Sequence, residues 1–230
     1  MKAVLKLGGF AFDSELSGSK LHGYVKVLKE FSRRNRLVIV TGGGSIARRY
    51  ITVARELGAS EFVSDQIGIH VSRLNARLLA SGLGESAFPK IPKSPDAMVE
   101  AMGSGLIVVM GGLQPGQSTN AVAALAAEAM GADLLVNATD VDGVYTADPR
   151  KDRNAKKLDE VTPEKLMAIL STEGIRAGEY DLMDPLAIRV IQRSRLPTVI
   201  VDGRSPLNIE KAMQGKRIGT RIVPSEKGSR

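Results

Sequence analysis

Apolar residues recur along this chain with two different periods, and their alternation predicts an α/β fold. Short apolar runs at residues 3–7, 37–40, 107–110, 134–136, 198–201 and 220–223 read as strands. The run at 37–40 is apolar throughout, as expected of a strand buried on both faces of a parallel sheet. Between the runs the period lengthens to that of a helix. Ser45 is placed to cap a helix through Leu57, with Ala47, Tyr50, Ile51 and Ala54 on one face. Asp65 is expected to open another helix, with Ile67, Val71, Leu74 and Leu78 as its apolar stripe. Further helices are predicted at 24–31, 119–130, 163–170, 185–194 and 207–213, two of them with proline in the first turn.

Strands alternating with helices imply βαβ units, hence a mainly parallel central sheet covered by helices on both faces, a three-layer αβα sandwich. Right-handed crossovers place the loops that follow the strands along one edge of such a sheet. No linker, repeat or low-complexity tract interrupts the pattern, so residues 1–224 read as a single domain and 225–230 as a flexible polar tail.

Three glycine-centred segments follow predicted strands and are therefore expected to converge at that edge. They are Lys6-Leu7-Gly8-Gly9, Thr41-Gly42-Gly43-Gly44-Ser45, and Gly111-Gly112-Leu113-Gln114-Pro115-Gly116-Gln117-Ser118-Thr119. Glycine lets backbone approach a ligand closely and aim N–H groups at an anion. One such loop is equally well a tight turn; three in one sheet suggest a site for several phosphates, and so phosphoryl transfer. The second loop opens a helix, whose N-terminus favours anions, and Arg48 and Arg49 follow one turn later. It has neither the Lys-Ser/Thr ending of a Walker loop nor G-x-G-x-x-G spacing. Lys6, at a strand end beside Gly8 and Gly9, is suited to bridge a transferring phosphoryl group and its leaving oxygen. In the third loop Gln114, Gln117, Ser118 and Thr119 offer neutral hydrogen bonds that suit a base or sugar, although Ser118 or Thr119 would cap the next helix in any case. The segment 137–149, with Thr139, Asp140, Asp142, Tyr145 and Asp148, is either a turn or a hold on a ribose or purine. Asp184, before Pro185, either caps a helix or positions a lysine in the site.

Composition narrows the classes. The 230 residues carry a net charge of +7, which fits phosphorylated ligands, while aromatic residues make up only 4% and leave little for nucleic-acid stacking. Cys is absent, so there is no disulfide framework or thiolate metal site, and a cytoplasmic location is expected. No apolar stretch approaches membrane-spanning length and the first residues show no signal-peptide pattern. His22 and His70 form no metal pair and no Ser-His-Asp pattern is visible, so no protein-held metal is expected. His70 reads as structural, on the stripe of Ile67.

From residue 6 to about 224 the chain resembles the amino acid kinase superfamily, and within it the archaeal uridylate kinases. The resemblance is carried by Thr41-Gly42-Gly43-Gly44-Ser45-Ile46-Ala47-Arg48-Arg49-Tyr50, by the loop 111–119, by Asp140-Val141-Asp142-Gly143-Val144-Tyr145-Thr146-Ala147-Asp148-Pro149, and by Met183-Asp184-Pro185-Leu186-Ala187. It implies the amino acid kinase fold, transfer of the γ-phosphoryl group of ATP to UMP with Mg²⁺ on the nucleotide, and a homo-oligomer, a hexamer built as a trimer of dimers. By motif it implies that Gly43, Asp65 and Leu113-Gln114-Pro115-Gly116-Gln117-Ser118-Thr119 hold UMP in the N-terminal half. Gly9, Phe10, Gly44, Arg48, Thr139, Asp140, Tyr145 and Asp148 would hold ATP toward the C-terminal half. Lys6 would stabilise the group in transfer and Asp184 would orient charge around it. Phe10 and Asn120 depart from the pattern, where relatives carry a small or polar residue and Asp respectively. The rivals are another kinase of this fold, acting on isopentenyl phosphate, carbamate or an amino acid, and a non-catalytic nucleotide-binding or storage protein. Against the first, no His follows the second glycine loop and no lysine motif surrounds Lys211 or Lys216.

Overall fold

A computed structural model describes residues 1–13, 15–147, 152–172 and 182–223. The strands are β1 (Lys2–Leu7), β2 (Arg36–Thr41), β3 (Val108–Met110), β4 (Leu134–Thr139), β5 (Val144–Tyr145), β6 (Lys157–Leu158), β7 (Glu160–Val161), β8 (Thr198–Asp202) and β9 (Thr220–Ile222). The helices are α1 (Gly18–Ser32), α2 (Gly44–Glu56), α3 (Glu61–Leu83), α4 (Pro95–Met102), α5 (Thr119–Met130), α6 (Pro163–Thr172), α7 (Pro185–Ser194) and α8 (Pro206–Met213).

A seven-stranded sheet runs in the order β3-β2-β1-β4-β8-β9-β7, and β5 pairs with β6 in a separate two-stranded ribbon. Within the seven-stranded sheet, among the described residues, pairing is parallel except between β8 and β9, and the β5–β6 ribbon is antiparallel. Parallel neighbours need crossovers, and the crossovers coat both faces. On one face α4, α5, α6 and α7 pack over Val4, Val38, Val40, Val108 and Leu135. On the other, α1, α3 and α8 pack over Leu5, Leu7, Ile39, Val109 and Val136. This is the three-layer αβα sandwich.

The chain winds outward from β1 through β2 to β3, then returns to the other side of β1 with β4 and continues to β8. The winding therefore reverses between β1 and β4, where the loops part and leave a crevice beyond the strand ends. Lys6 is in register with Asn137 at that point.

Several helix expectations need correction. α2 starts at Gly44, with Gly43 in the cap position and no side-chain cap, so Ser45 lies inside the helix. α3 starts at Glu61, capped by the Ser60 hydroxyl, so Asp65 lies a turn further on. The stripe through Leu74 and Leu78 faces outward, with Leu74 66% exposed, and Tyr50 on α2 is 62% exposed. His70 is also exposed. The face of α3 turned inward carries Ile69, Ser72, Asn75, Ala76, Leu79 and Leu83. Its small and polar members meet backbone at the strand ends, so apolar periodicity alone selects the wrong face. α4, β5, β6 and β7 went unpredicted; strands of two residues are too short to show a period. The predicted tail lies outside the described residues.

Candidate functional site

Strand ends bring the first two glycine loops into contact. β1 leads into a 3-10 turn at Gly9–Phe12 and β2 leads into α2. A Cβ on Gly9 would lie 2.0 Å from Cα of Gly44, and one on Gly44 would lie 2.5 Å from the carbonyl oxygen of Gly9. Gly44 also has φ +67°, a conformation other residues rarely adopt. Glycine is thus required at both positions by backbone packing, before any ligand is considered. The first-turn N–H groups of α2 have no side-chain cap. They remain available to an anion, with Arg48 exposed one turn away.

Lys6 is buried, 8% exposed, between Val40 and Asn137. Asn137 donates through Nδ2 to the carbonyl of Leu182 at 2.8 Å, while its buried Oδ1 has no hydrogen-bond partner among the described residues. Lys6 and Asn137 are in register across β1 and β4, with buried Thr139 two residues beyond Asn137, while buried Thr41, at the end of β2, donates to the Ser72 carbonyl at 2.8 Å. Burying such polar groups costs free energy unless they are hydrogen-bonded.

The third loop is held from several sides. Arg73 on α3 donates from Nε to the Gly112 carbonyl and from Nη2 to the Leu113 carbonyl, both at 2.9 Å. Burial pulls the Arg73 pKa below its usual value. Gly112 N–H donates to Ser72 Oγ at 2.8 Å, and Gly116 N–H to Asp65 Oδ2 at 2.8 Å. Gln117 N–H closes a turn onto the Gln114 carbonyl at 3.3 Å, around Pro115. Ser118 caps α5 by accepting from Ala121 N–H at 3.0 Å, and its hydroxyl donates to Asp184 Oδ2. Asp184 Oδ1 meanwhile accepts from the N–H groups of Leu186 and Ala187, capping α7. Both residues therefore cap a helix while bonding to one another. Thr119 is the first residue of α5, and buried Asn120 follows with Oδ1 unpartnered among the described residues.

Beyond β4, Thr139 Oγ1 donates to Asp140 at 3.2 Å, and the Thr139 carbonyl accepts from Gly203 N–H at 2.8 Å. Tyr145 lies in the small ribbon, with its hydroxyl donating to Asp142 at 3.0 Å, and this raises the phenol pKa. For Asp142, burial pushes the carboxyl up, but bonds from Lys157 and Tyr145 outweigh it and the net direction is down. The Phe10 ring is wedged against Gly8 and Gly203, where its atoms would lie 2.6 Å from an added Cβ at either glycine. Asp148 lies outside the described residues.

The structure thus brings Gly9, Gly43 and Gly44 together at the β1 and β2 ends, with Lys6 at the crevice. Asp65 joins the third loop on the β3 side and Asp184 reaches that loop from α7. Thr139 and Asp140 lie on the opposite side of Lys6. Three strand spacings separate β3 from β4, about 14 Å.

A family model, the amino acid kinase family, matches residues 1–202. The chain belongs to the amino acid kinase family. It is similar to a uridylate kinase of Methanococcoides burtonii, 45% identical over 97% of this chain and 100% of that protein. A uridylate kinase of Hyperthermus butylicus is 46% identical over 96% of this chain and 97% of its own. The crystal structure of uridylate kinase from Archaeoglobus fulgidus superposes with a TM-score of 0.88 at 43% identity, covering 97% of this chain and all of that one, 100%. Arg73, Ser72 and Asn75, which hold the loops, and Asn137, in register with Lys6, are the residues that sequence reasoning missed. The only signal was their polarity at inward positions. Asn75, 4% exposed, donates to the Gly42 carbonyl at 2.8 Å and so ties the second loop to α3 as well.

Replacing Gly9 by Ala should lower stability by about 1–3 kcal/mol through overpacking, and should cut turnover by displacing the head of α2. Urea unfolding of the variant checks this; an unchanged midpoint would mean that the two loops yield freely.

Proposed function

We propose that this chain is a UMP kinase, transferring the γ-phosphoryl group of ATP to UMP to give UDP and ADP in pyrimidine nucleotide synthesis. The observation that carries the reading is the stapled loop 113–119 beside the buried Lys6 and the joined glycine loops, in a chain similar over its whole length to uridylate kinases. Residues 1–224 act as one domain, with the acceptor toward the N-terminal half and the donor toward the C-terminal half.

UMP lies against Gly43, Asp65 and Leu113–Thr119. ATP lies against Gly9, Phe10, Gly44, Arg48, Thr139, Asp140, Tyr145 and Asp148. An oxygen of the UMP phosphate attacks the γ-phosphorus, and the bond from that phosphorus to the β,γ-bridging oxygen breaks. No proton has to move, because the nucleophile is already a phosphate oxygen. This fits a site whose described residues present no catalytic His. The low-dielectric position of Lys6 strengthens its attraction for charge that develops between the two phosphates. Asp184, anchored at α7 and to Ser118, holds a fixed negative charge near the acceptor loop. Among the described residues no group of three His, Asp or Glu side chains could cage a metal. Mg²⁺ would come in on the nucleotide phosphates, where it would supply charge neutralisation.

The exposed faces of α2 and α3 support a homo-oligomer. Tyr50, Val53, Leu57, Phe62 and Leu74 are each more than half exposed, and Leu78 is 39% exposed. Apolar side chains this close together on two packed helices suit a self-complementary contact. A hexamer built as a trimer of dimers is the proposed assembly, in the cytoplasm; no helix among the described residues is long and apolar enough to cross a membrane.

Coupled-assay turnover with ATP and Mg²⁺ against UMP, CMP, dUMP, AMP, isopentenyl phosphate, glutamate and aspartate tests the reading. UMP should be clearly preferred. Activity on another acceptor alone would discard residues 113–119 as a uridine site, and silence on all would favour a binding protein. Lys6→Ala should reduce kcat by about 100-fold or more with little change in the affinity for UMP; turnover within about twofold of wild type would remove its assigned role. Leu74→Glu should shift sedimentation toward smaller species, and an unchanged profile would place the subunit contact elsewhere.

A further inference from the structure

Loop 111–118 follows an edge strand. β3 stands at the end of the sheet order, and its ladder with β2 ends at the Val40–Met110 pair. Past Met110 the backbone has no strand on its outer side to take its carbonyls. The Gly112 and Leu113 carbonyls are taken instead by one side chain, the guanidinium of Arg73.

The rest of the loop is held from the same helix. Asp65 accepts from Gly116 N–H, and Ser72 accepts from Gly112 N–H. Arg73 lies about two turns, or about 12 Å of helix axis, beyond Asp65. The loop is thus pinned at its base and near its tip. It runs along α3 from the middle of the helix toward its N-terminus. A guanidinium suits the base because its planar fork reaches two carbonyls at once, which a single ammonium group does not do with the same geometry. Arg73 is half-buried, and its bonds among the described residues go to these carbonyls rather than to a carboxylate. Its charge is met by these carbonyl dipoles, with no carboxylate paired to it among the described residues.

We propose that Arg73 is a positioning residue for the phosphoryl acceptor, setting the conformation of the acceptor loop through the Gly112 and Leu113 carbonyls. The inference rests on the assignment of residues 113–119 to UMP. It adds that acceptor affinity depends on a helix residue that need not touch UMP. Losing two charge-assisted hydrogen bonds at the loop base should raise the KM for UMP by about tenfold or more. The KM for ATP has no reason to change.

The test compares Arg73→Ala and Arg73→Lys with wild type. Steady-state kinetics are run in both substrates, and hydrogen exchange is measured in the ligand-free protein at the amides of Leu113, Gln114, Gly116 and Gln117. The expected result is a higher KM for UMP with kcat and the KM for ATP nearly unchanged, and faster exchange confined to the loop. Arg73→Lys, which keeps the packed stem, should restore stability more than UMP affinity. Millimolar guanidinium should partly restore the KM for UMP in Arg73→Ala and leave wild type unaffected. Equal rises in both KM values, or loop exchange unchanged in both variants, would overturn the proposal. The exchange measurement needs no substrate. If wild type ignores UMP, the acceptor assignment fails by itself, and the exchange result still decides whether Arg73 sets the loop.

Discussion

The contact between the Gly9 and Gly44 backbones organises this molecule. Two parallel strands end side by side, and the chain leaving each must turn within one strand spacing of the other. With side chains at either position the turns could not share that space. Without them, the first turn after β1 rests on the head of α2, and the helix presents its uncapped N–H groups directly over the end of β1. The polar end of one helix and the buried Lys6 are brought to the same crevice by a packing constraint.

α3 has a related part on the other side. A long helix beside a sheet normally offers apolar side chains to it, and the C-terminal half of α3 does so through Ala76, Leu79 and Leu83. Its stretch from Asp65 to Asn75 instead offers Asp65, Ser72, Arg73 and Asn75, each bonded to loop backbone. The loops have no regular neighbours of their own, so these side chains supply the hydrogen bonds that a strand would have supplied. Apolar residues on the outer side of the helix, Phe62, Leu74 and Leu78 among them, are exposed instead.

A second linkage joins the two halves of the proposed site. Ser118 and Asp184 each cap a helix, α5 and α7, and the two caps are hydrogen-bonded to one another. α5 and α7 also pack side by side within one apolar cluster. Loop 111–118 and the start of α7 are therefore joined by a hydrogen bond as well as by the packing of the helices that follow them.

Much of this was legible in the sequence. Apolar runs of strand length, separated by helical periods, determined the parallel sheet and its helical coats. Parallel connection then determined that the three glycine loops share an edge. α5 and α7 were legible to the residue because cap and proline signals mark their starts. Local pattern did not determine which face of α3 turns inward, because Ser72 and Asn75 are buried for hydrogen bonds rather than for apolar area. Nor did it show that Arg73 grips the third loop, or that Ser118 and Asp184 meet. Those contacts join residues far apart in the chain, and only the folded geometry decides which backbone carbonyl a distant side chain can reach.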